Sequence, residues 1–587
     1  MSNDLLAAAD TAVLTDPKPT APPPGQMPPS QNVTINLINR LVKKGVLGAD
    51  EAAELIKQAE EDAANARQEA AAVAVQAAQA VQAAEAPPPA SDDTVRVTYI
   101  PETVKAQMRE QIKQEIMAKA RDENWAAPRS MPEWTQRIKV MGDVRVRYEG
   151  QRFPSGNDNT GAFPNFNAIN TGAPFDVAGT VFSPQLNVDQ DRNRFRLRAR
   201  LGVEADLGDG FTAGFRIGTG ESNTPVTQNQ SLGAANQGQG GNFSKYAIWL
   251  DRGYLKYENS GPSGRYLGVS VGRFDNPFFT VSPMMWQDEI GFDGLALHAR
   301  YEVAKGFTPF LTAGAFPIFN TDLNFSSNRP DKFNSDDKYL YGGQLGATWK
   351  INKNIVAKVG AAYYHFDNVE GRLSNPYVPL TASDAGNTDN LRPSFAQTGN
   401  TYMALRNIIP TVDNDFGTSK QFQYFGLATP FHNLALTGKI DFNHFEPVQI
   451  SLYGEYVKNL AFDRNEINLK AVNNRGDSSN GGSGSFDGGD TAWIVGMKVG
   501  NPALEKRWDW NAYLNYRHVE SDALIDGFTD SDFGGTLAGT NHEGFTLGGN
   551  LSLSPRVWLG LRWMSANEIA GTTYKNDVVQ FDVNGKF

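Results

Sequence analysis

The sequence has no cysteine, no long apolar run and no excess of basic residues. With Cys 0 among 587 residues, the chain forms neither disulfide bonds nor thiolate metal sites. No run of about 18 apolar residues is present, which excludes a membrane-spanning α-helix. The formal net charge is −11, whereas binding to nucleic acid requires a net basic face, so the sequence does not predict that function. The N-terminus also lacks the basic and apolar segments of a secretory signal, and we expect the numbering to begin near the mature N-terminus.

Catalytic and metal-binding patterns are scarce as well. The six histidines show no metal-ligand spacing, and no Ser/His/Asp set stands out, so the sequence does not predict an enzyme. Several loops rich in Asp, Asn and Gly offer oxygen ligands for Ca²⁺, but none has the spacing of an EF-hand. We therefore predict no metal site and no cofactor, with loop Ca²⁺ as the weaker alternative.

The pattern that is present is a strict alternation of apolar and polar residues. In 577–587, Val579, Phe581, Val583 and Phe587 share one face of an extended chain, and polar residues share the other. A strand with these two faces suits the wall of a water-filled barrel in lipid, where only every second side chain needs to be apolar. This also explains why the mean hydropathy is as low as −0.43.

The alternation recurs in sixteen segments, which predicts an all-β transmembrane barrel of 16 antiparallel strands over 137–587. The connections alternate strictly between short turns and long loops, as expected when all long loops lie on one side of a membrane. The segments are centred on 138–148, 194–206, 211–219, 247–258, 265–274, 293–303, 307–317, 340–350, 354–366, 433–442, 448–458, 491–500, 507–518, 544–552, 556–566 and 577–587.

The residues before the barrel predict an α-helical N-terminal region. We expect a disordered Pro/Ala-rich spacer over 1–31, a helical hairpin and Ala-rich coiled-coil stalk over 32–85, and a linker, short strand and helix over 86–136. The stalk carries small apolar residues at alternating spacings of three and four, the coiled-coil pattern, although a single exposed Ala-rich helix would give a similar sequence. This seam includes Ile56, Ala63, Ala70, Val73 and Ala77.

Residues 100–587 resemble the putative porins that carry an N-terminal periplasmic helical extension. The resemblance rests on "VKAQMREQIKQEIMAKARDENWAAPRSMPEW", "IKVMGDVRVRYEGQRF", "RNRFRLRARLGVEADLGDGFTAGFRIGTG", "VGRFDNPFF" and the terminal phenylalanine strand. It implies a homotrimeric diffusion channel in the lipid of the bacterial outer membrane, with the N-terminal region in the periplasm. We also expect Phe581, Val583 and Phe587 to form the signal that the barrel assembly machinery reads.

Arginine recurs at alternate positions of the first two predicted strands. Placing Arg or Lys on the lipid face costs about 2–4 kcal/mol at the bilayer midplane, so these side chains are predicted to line the pore. Single arginines of this kind more often pair with acidic neighbours than bind a ligand, but as a cluster they shape the field in a channel. The predicted basic ladder consists of Lys139, Arg145, Arg147, Arg194, Arg196, Arg198, Arg200, Arg216 and Arg300.

The third long loop is predicted to fold inward as a constriction. Its carboxylates would face the basic wall, and its aromatic residues would form either a stacking surface for sugars or an anchor against the barrel wall. The predicted constriction residues are Phe278, Phe279, Trp286, Asp288, Glu289 and Asp293.

Two functions follow from these features. The first is passive transport of small hydrophilic solutes through a porin with an Arg-rich lumen. The alternative is a tether from the outer membrane to peptidoglycan or another periplasmic partner, which uses the N-terminal stalk and treats the barrel as an anchor.

Overall fold

A computed structural model describes residues 57, 133–157, 161–179, 183–234, 240–262, 264–321, 332–476 and 484–587. The chain divides into two units, Met1–Pro128 and Arg129–Phe587, and nearly all described residues belong to the second. The predicted spacer, coiled-coil seam and tether therefore lie outside the described residues.

Sixteen long antiparallel strands form one closed sheet, which confirms the predicted barrel. Each strand pairs with the next in sequence, and the last pairs with the first through a register that includes Val146 opposite Val583. The strands are β1 Ile138–Arg152, β2 Arg192–Gly208, β3 Phe211–Thr219, β4 Ile248–Ser260, β5 Tyr266–Phe274, β6 Phe292–Arg300, β7 Phe307–Phe319, β8 Lys338–Lys350, β9 Ile355–Asp367, β10 Phe431–Phe445, β11 Val448–Asn459, β12 Thr491–Gly500, β13 Trp510–Val519, β14 His542–Ser554, β15 Val557–Glu568 and β16 Lys575–Lys586.

The remaining elements are short and do not belong to the sixteen strands of the barrel. A two-residue strand, Gln230–Ser231, adds to β2, and two small pairs join Phe175–Asp176 to Phe422–Gln423 and Tyr402–Ala404 to Phe425–Leu427. The helices are Glu133–Gln136, Phe166–Thr171 and Arg464–Lys470, with 3₁₀ turns at Asp389–Leu391, Val412–Gly417, Asp526–Phe528 and Gly535–Leu537. None of the described helices is long and apolar enough to cross a bilayer.

The two faces of the sheet differ as the alternation requires. Val140, Phe195 and Leu345 point outward and are 60%, 57% and 65% exposed. Side chains at the alternate positions, such as Arg147 and Gln344, point inward and are buried. An apolar outer face and a polar inner face are what a barrel in the outer membrane requires.

The terminal strand closes the sheet on β1. The Phe587 amide donates a hydrogen bond to the Gly142 carbonyl (2.9 Å), and the Gly142 amide donates one to the Phe587 carbonyl (3.1 Å). A Cβ at Gly142 would lie 2.4 Å from Cζ of Phe587, so the missing side chain leaves room for the terminal ring. Phe581 and Val583 remain on the outer face, 43% and 40% exposed.

Candidate functional site: a charged passage between two inward loops

The loop 275–291, between β5 and β6, contacts strands that lie far apart around the barrel. The Phe279 amide donates to Oε1 of Gln344 on β8 (2.7 Å), and Oγ of Ser282 donates to Glu455 on β11 (3.1 Å). At its other end, Glu289 accepts hydrogen bonds from Arg145 on β1 and Arg198 on β2. Because these strands face one another across a closed sheet, the loop crosses the space that the sheet encloses.

Aromatic residues anchor this loop on one side. The rings of Phe278 and Trp286 lie 5.0 Å and 5.4 Å from the ring of Tyr364 on β9, and both are almost fully buried. Burial of rings of this size contributes several kcal/mol to holding a loop in place. The structure thus places Phe278 and Trp286 in the wall packing, whereas Phe279 is only half-buried.

Glu289 is the main electrostatic contact of the loop. It accepts from Nη2 of Arg145 (3.2 Å), from Nη1 of Arg198 (2.6 Å) and from the Gln228 amide (2.9 Å). Burial raises the pKa of Glu289, but the positive charges of Arg145 and Arg198 outweigh burial and hold the pKa below its ordinary value. The carboxylate is therefore ionised at neutral pH.

The other arginines of β1 and β2 are also paired with carboxylates. Asp143 accepts from Arg198 (2.8 Å) and from Arg200 (2.7 Å). Glu149 accepts from Arg194 (2.5 Å) and from Arg196 (3.3 Å). The positive charge of the ladder is thus largely compensated within the protein.

A second loop, 520–541, also lies inside the barrel, which the sequence did not predict. The Gln287 amide donates to the Phe528 carbonyl, and Nε2 of Gln287 donates to Oγ of Ser531, both at 2.9 Å. Asp532 accepts from Arg147 on β1 (2.9 Å) and from Arg562 on β15. Burial raises the pKa of Asp532, but the charges of Arg147 and Arg562 dominate and hold the pKa well below its ordinary value.

These two loops and six neighbouring strands enclose a charged cavity of about 180 Å³. Basic residues of the wall and carboxylates of the loops line it together, and most of them are joined in direct ion pairs. The basic residues are Arg145, Arg147, Arg198 and Arg562, and the carboxylates of the loops are Asp288, Glu289, Asp530 and Asp532.

The remaining predicted residues are spread more widely. Arg216 pairs with Asp251 and with Asp275 (3.0 Å), and Arg300 lies over the ring of Tyr266. Lys139 is exposed near the start of β1.

Asp293, which the sequence grouped with the loop, lies in β6. There it pairs with Arg273 of β5 at 2.6 Å, so the structure does not bring it to the cavity. Among the described residues, no group of His, Cys, Asp or Glu side chains could hold a metal ion.

The site includes residues that sequence reasoning missed. Glu149 and Arg562 lie at inward-facing positions of their strands. The alternation of polar and apolar residues would therefore have predicted both of them. Asp530 and Asp532 lie in a long loop without periodicity, where no sequence signal placed them in the interior.

Comparisons with known proteins bear on the family. The model of the family described as putative porin matches residues 31–587. No curated protein sequence matches the chain.

Among solved structures, the chain is similar to Pseudomonas putida OprB at high pH, with 12% identity and a TM-score of 0.41 over 77% of this chain and 95% of that chain. It is also similar to the outer membrane channel DcaP of Acinetobacter baumannii, with 11% identity and a TM-score of 0.33 over 77% of this chain and 97% of that chain. It is similar as well to Salmonella typhi OmpF in complex with daunomycin, with 10% identity and a TM-score of 0.33 over 77% of this chain and 97% of that chain.

Proposed function

The chain belongs to the putative porin family, and we propose that it is a passive diffusion channel of the outer membrane for small hydrophilic solutes. The loop 275–291 acts as the constriction, and the arginines of β1 and β2 line the lumen beside it. No energy source and no catalytic step are needed for this function.

One observation carries the proposal. The loop joins Gln344 and Glu455 on one side to Arg145 and Arg198 on the other, and a charged cavity lies beside it. A hydrophilic solute that enters this cavity meets hydrogen-bonding and charged groups on all sides, while the apolar outer face stays against lipid.

The charge pattern supports a sieve for polar solutes. Paired arginines and carboxylates add little net charge, but they offer hydrogen-bond donors and acceptors to dipolar solutes as they pass. Similar solutes without a dipole are expected to pass more slowly at equal size.

The experiment that tests the proposal is liposome swelling with the purified full-length protein. A series of uncharged sugars of increasing size should enter at rates that fall with size to a cut-off. Absence of swelling with the smallest sugars, in liposomes that contain folded protein, would overturn the proposed function.

The resemblance to the putative porins also supports a proposal about the oligomeric state. We expect a homotrimer in detergent, with the apolar outer faces of the barrels in contact with lipid and with one another. The mass of the detergent-solubilised complex tests this, and a monomeric mass would contradict it.

A further inference from the structure

The inner wall away from β1 and β2 carries two cations whose surroundings differ from those of the paired arginines on β1 and β2. Lys358 on β9 and Arg300 on β6 take the inward positions of the alternation, since Val359, which follows Lys358, and Leu295, five residues before Arg300, point outward and are 54% and 49% exposed. We propose that Lys358 and Arg300 form a binding subsite for small anions in the channel, an inference that rests on the proposed function.

The first argument is that neither cation is in direct contact with a carboxylate. Within the described part of the chain, no ion pair joins Lys358 or Arg300 to a carboxylate, whereas the ladder arginines Arg145 to Arg200 all have such partners. On β4, which β5 separates from β6, Glu258 is already paired with Lys256 (2.8 Å) and accepts from the Tyr266 hydroxyl. The two cations therefore keep a positive charge that a solute can meet.

The second argument is how the cations are held. Nζ of Lys358 lies 4.1 Å from the ring centre of Phe279 and 5.1 Å from that of Phe310. Cζ of Arg300 lies 4.6 Å from the ring centre of Tyr266. A cation–π contact holds an ammonium or guanidinium group without adding a formal negative charge, so position is fixed while the charge remains free to bind an anion.

The two cation positions belong to one continuous surface. The ring of His298 lies 5.7 Å from that of Tyr266 and 6.1 Å from that of Phe310, and the ring of Phe279 lies 6.3 Å from that of Phe310. This basic aromatic patch consists of Lys358, Arg300, Phe279, Phe310, Tyr266 and His298.

Glycines allow the rings of the patch to lie along the wall. A Cβ at Gly346 would lie 2.3 Å from Cζ of Phe310, and a Cβ at Gly268 would lie 2.8 Å from the hydroxyl oxygen of Tyr266. The rings thus occupy the space of missing side chains instead of projecting into the lumen. Phe279 is fixed from the loop side, because Gln344 both donates to its carbonyl (2.9 Å) and accepts from its amide (2.7 Å).

The chemistry of the patch favours small anions that bind weakly and leave. A primary ammonium and a guanidinium attract carboxylate or halide, and neither is buried deeply enough to trap it, since Lys358 is half-buried and Arg300 is exposed. Chloride is the simplest probe of such a subsite.

Planar-bilayer recordings of the full-length protein in KCl test the subsite. In a KCl gradient we expect an anion-selective reversal potential, and in symmetric KCl we expect a conductance that saturates with concentration. The double variant Lys358→Gln/Arg300→Gln should lower the chloride-to-potassium permeability ratio by about threefold or more and abolish the saturation. Only inserted, folded barrels conduct, so each recording reports on folded protein.

Two controls separate the subsite from a general change in charge. Lys358→Arg/Arg300→Lys keeps both charges and should keep the selectivity and the saturation. Lys439→Gln/Asp441→Asn removes a neutral pair (2.9 Å) from the next strand and should also keep both. An unchanged permeability ratio and unchanged saturation in Lys358→Gln/Arg300→Gln would overturn the subsite, as would a cation-selective wild type, whereas a wild type that does not conduct would overturn the proposed function itself.

Discussion

Glu289 shows how a single carboxylate organises the interior. It holds two guanidinium groups of adjacent strands and the backbone of residue 228, and its own pKa is lowered by the two positive charges in spite of its burial. Its neighbour Asp288 lines the same cavity but is exposed and forms no ion pair among the described residues. The two acids therefore differ in role although they are adjacent in sequence.

This difference yields a prediction for Glu289→Gln. Removing one member of a buried ion pair costs roughly 3–5 kcal/mol, because Arg145 and Arg198 would lose a compensating charge. We expect a lower thermal midpoint for Glu289→Gln, together with a reversal potential shifted toward chloride.

Asp288→Asn is the matched control, since it removes the same charge from the same cavity. It should shift the reversal potential in the same direction and leave the thermal midpoint unchanged. Equal thermal midpoints for the two variants would contradict the role assigned to Glu289.

Asp526 gives a second prediction at the residue scale. It lies in the loop 520–541, fully buried, and accepts hydrogen bonds from the loop 368–430, including one from the Gln397 amide (3.3 Å). Burial raises the pKa of Asp526 from an ordinary value of 3.8 to about 7. Because the folded state holds the proton more tightly than the unfolded state, this group stabilises the fold fully below pH 3.8, and the contribution is lost as the pH rises through about 7.

We therefore expect Asp526→Asn to stabilise the protein at pH 8 relative to the wild type and to have little effect at acid pH below 4. Urea midpoints of both proteins at the two pH values measure this. Asp413→Asn, an exposed acid of the loop 368–430, should show no such pH-dependent difference. The prediction would be contradicted if the urea midpoints of the wild type and of Asp526→Asn differed by the same amount at both pH values.

At the scale of the element, the strands were predictable and the loops were not. The segments 211–219, 448–458 and 491–500 match β3, β11 and β12 within one residue at each end, because alternation is a local property of the sequence. The inward course of the loop 520–541 depends on Asp532 meeting Arg147 and Arg562, which are far away in sequence. A periodic pattern in the sequence does not predict contacts between residues so far apart in the chain.

The same limit applies to the arginine ladder. The alternation alone places Arg145 and Arg198 on the inner face, but it does not show that Glu289 and Asp143 neutralise their positive charges. The sequence also does not predict that Lys358 lacks an ion pair, because that depends on which carboxylates the fold brings close to it.

The closing pair of strands carries a prediction at this scale. A methyl group at Gly142 would clash with the Phe587 ring and with the Arg200 carbonyl, 2.7 Å away, so Gly142→Ala should destabilise closure by about 1–3 kcal/mol. Gly585→Ala is the matched control in the paired strand, because a Cβ there meets nothing within 4 Å. We expect less heat-modifiable, folded barrel on gels for Gly142→Ala alone, and equal yields for the two variants would contradict the packing argument.

At the scale of the whole molecule, an apolar outer surface surrounds an interior that contains a charged cavity. Phe545 and Leu547 on β14 are each 49% exposed on the outer face, while Asn550 of the same strand lines the charged cavity. A soluble protein would place the apolar face inside, so the inverted arrangement requires lipid outside and water within.

The natural absence of cysteine makes the central claim directly measurable. Asn550→Cys and Phe545→Cys each introduce one thiol on β14, the first at the cavity and the second on the outer face. A charged, membrane-impermeant thiol reagent should reduce single-channel current in Asn550→Cys and leave Phe545→Cys unchanged if solutes pass through the charged cavity. Unchanged current through a modified Asn550→Cys channel would contradict the account.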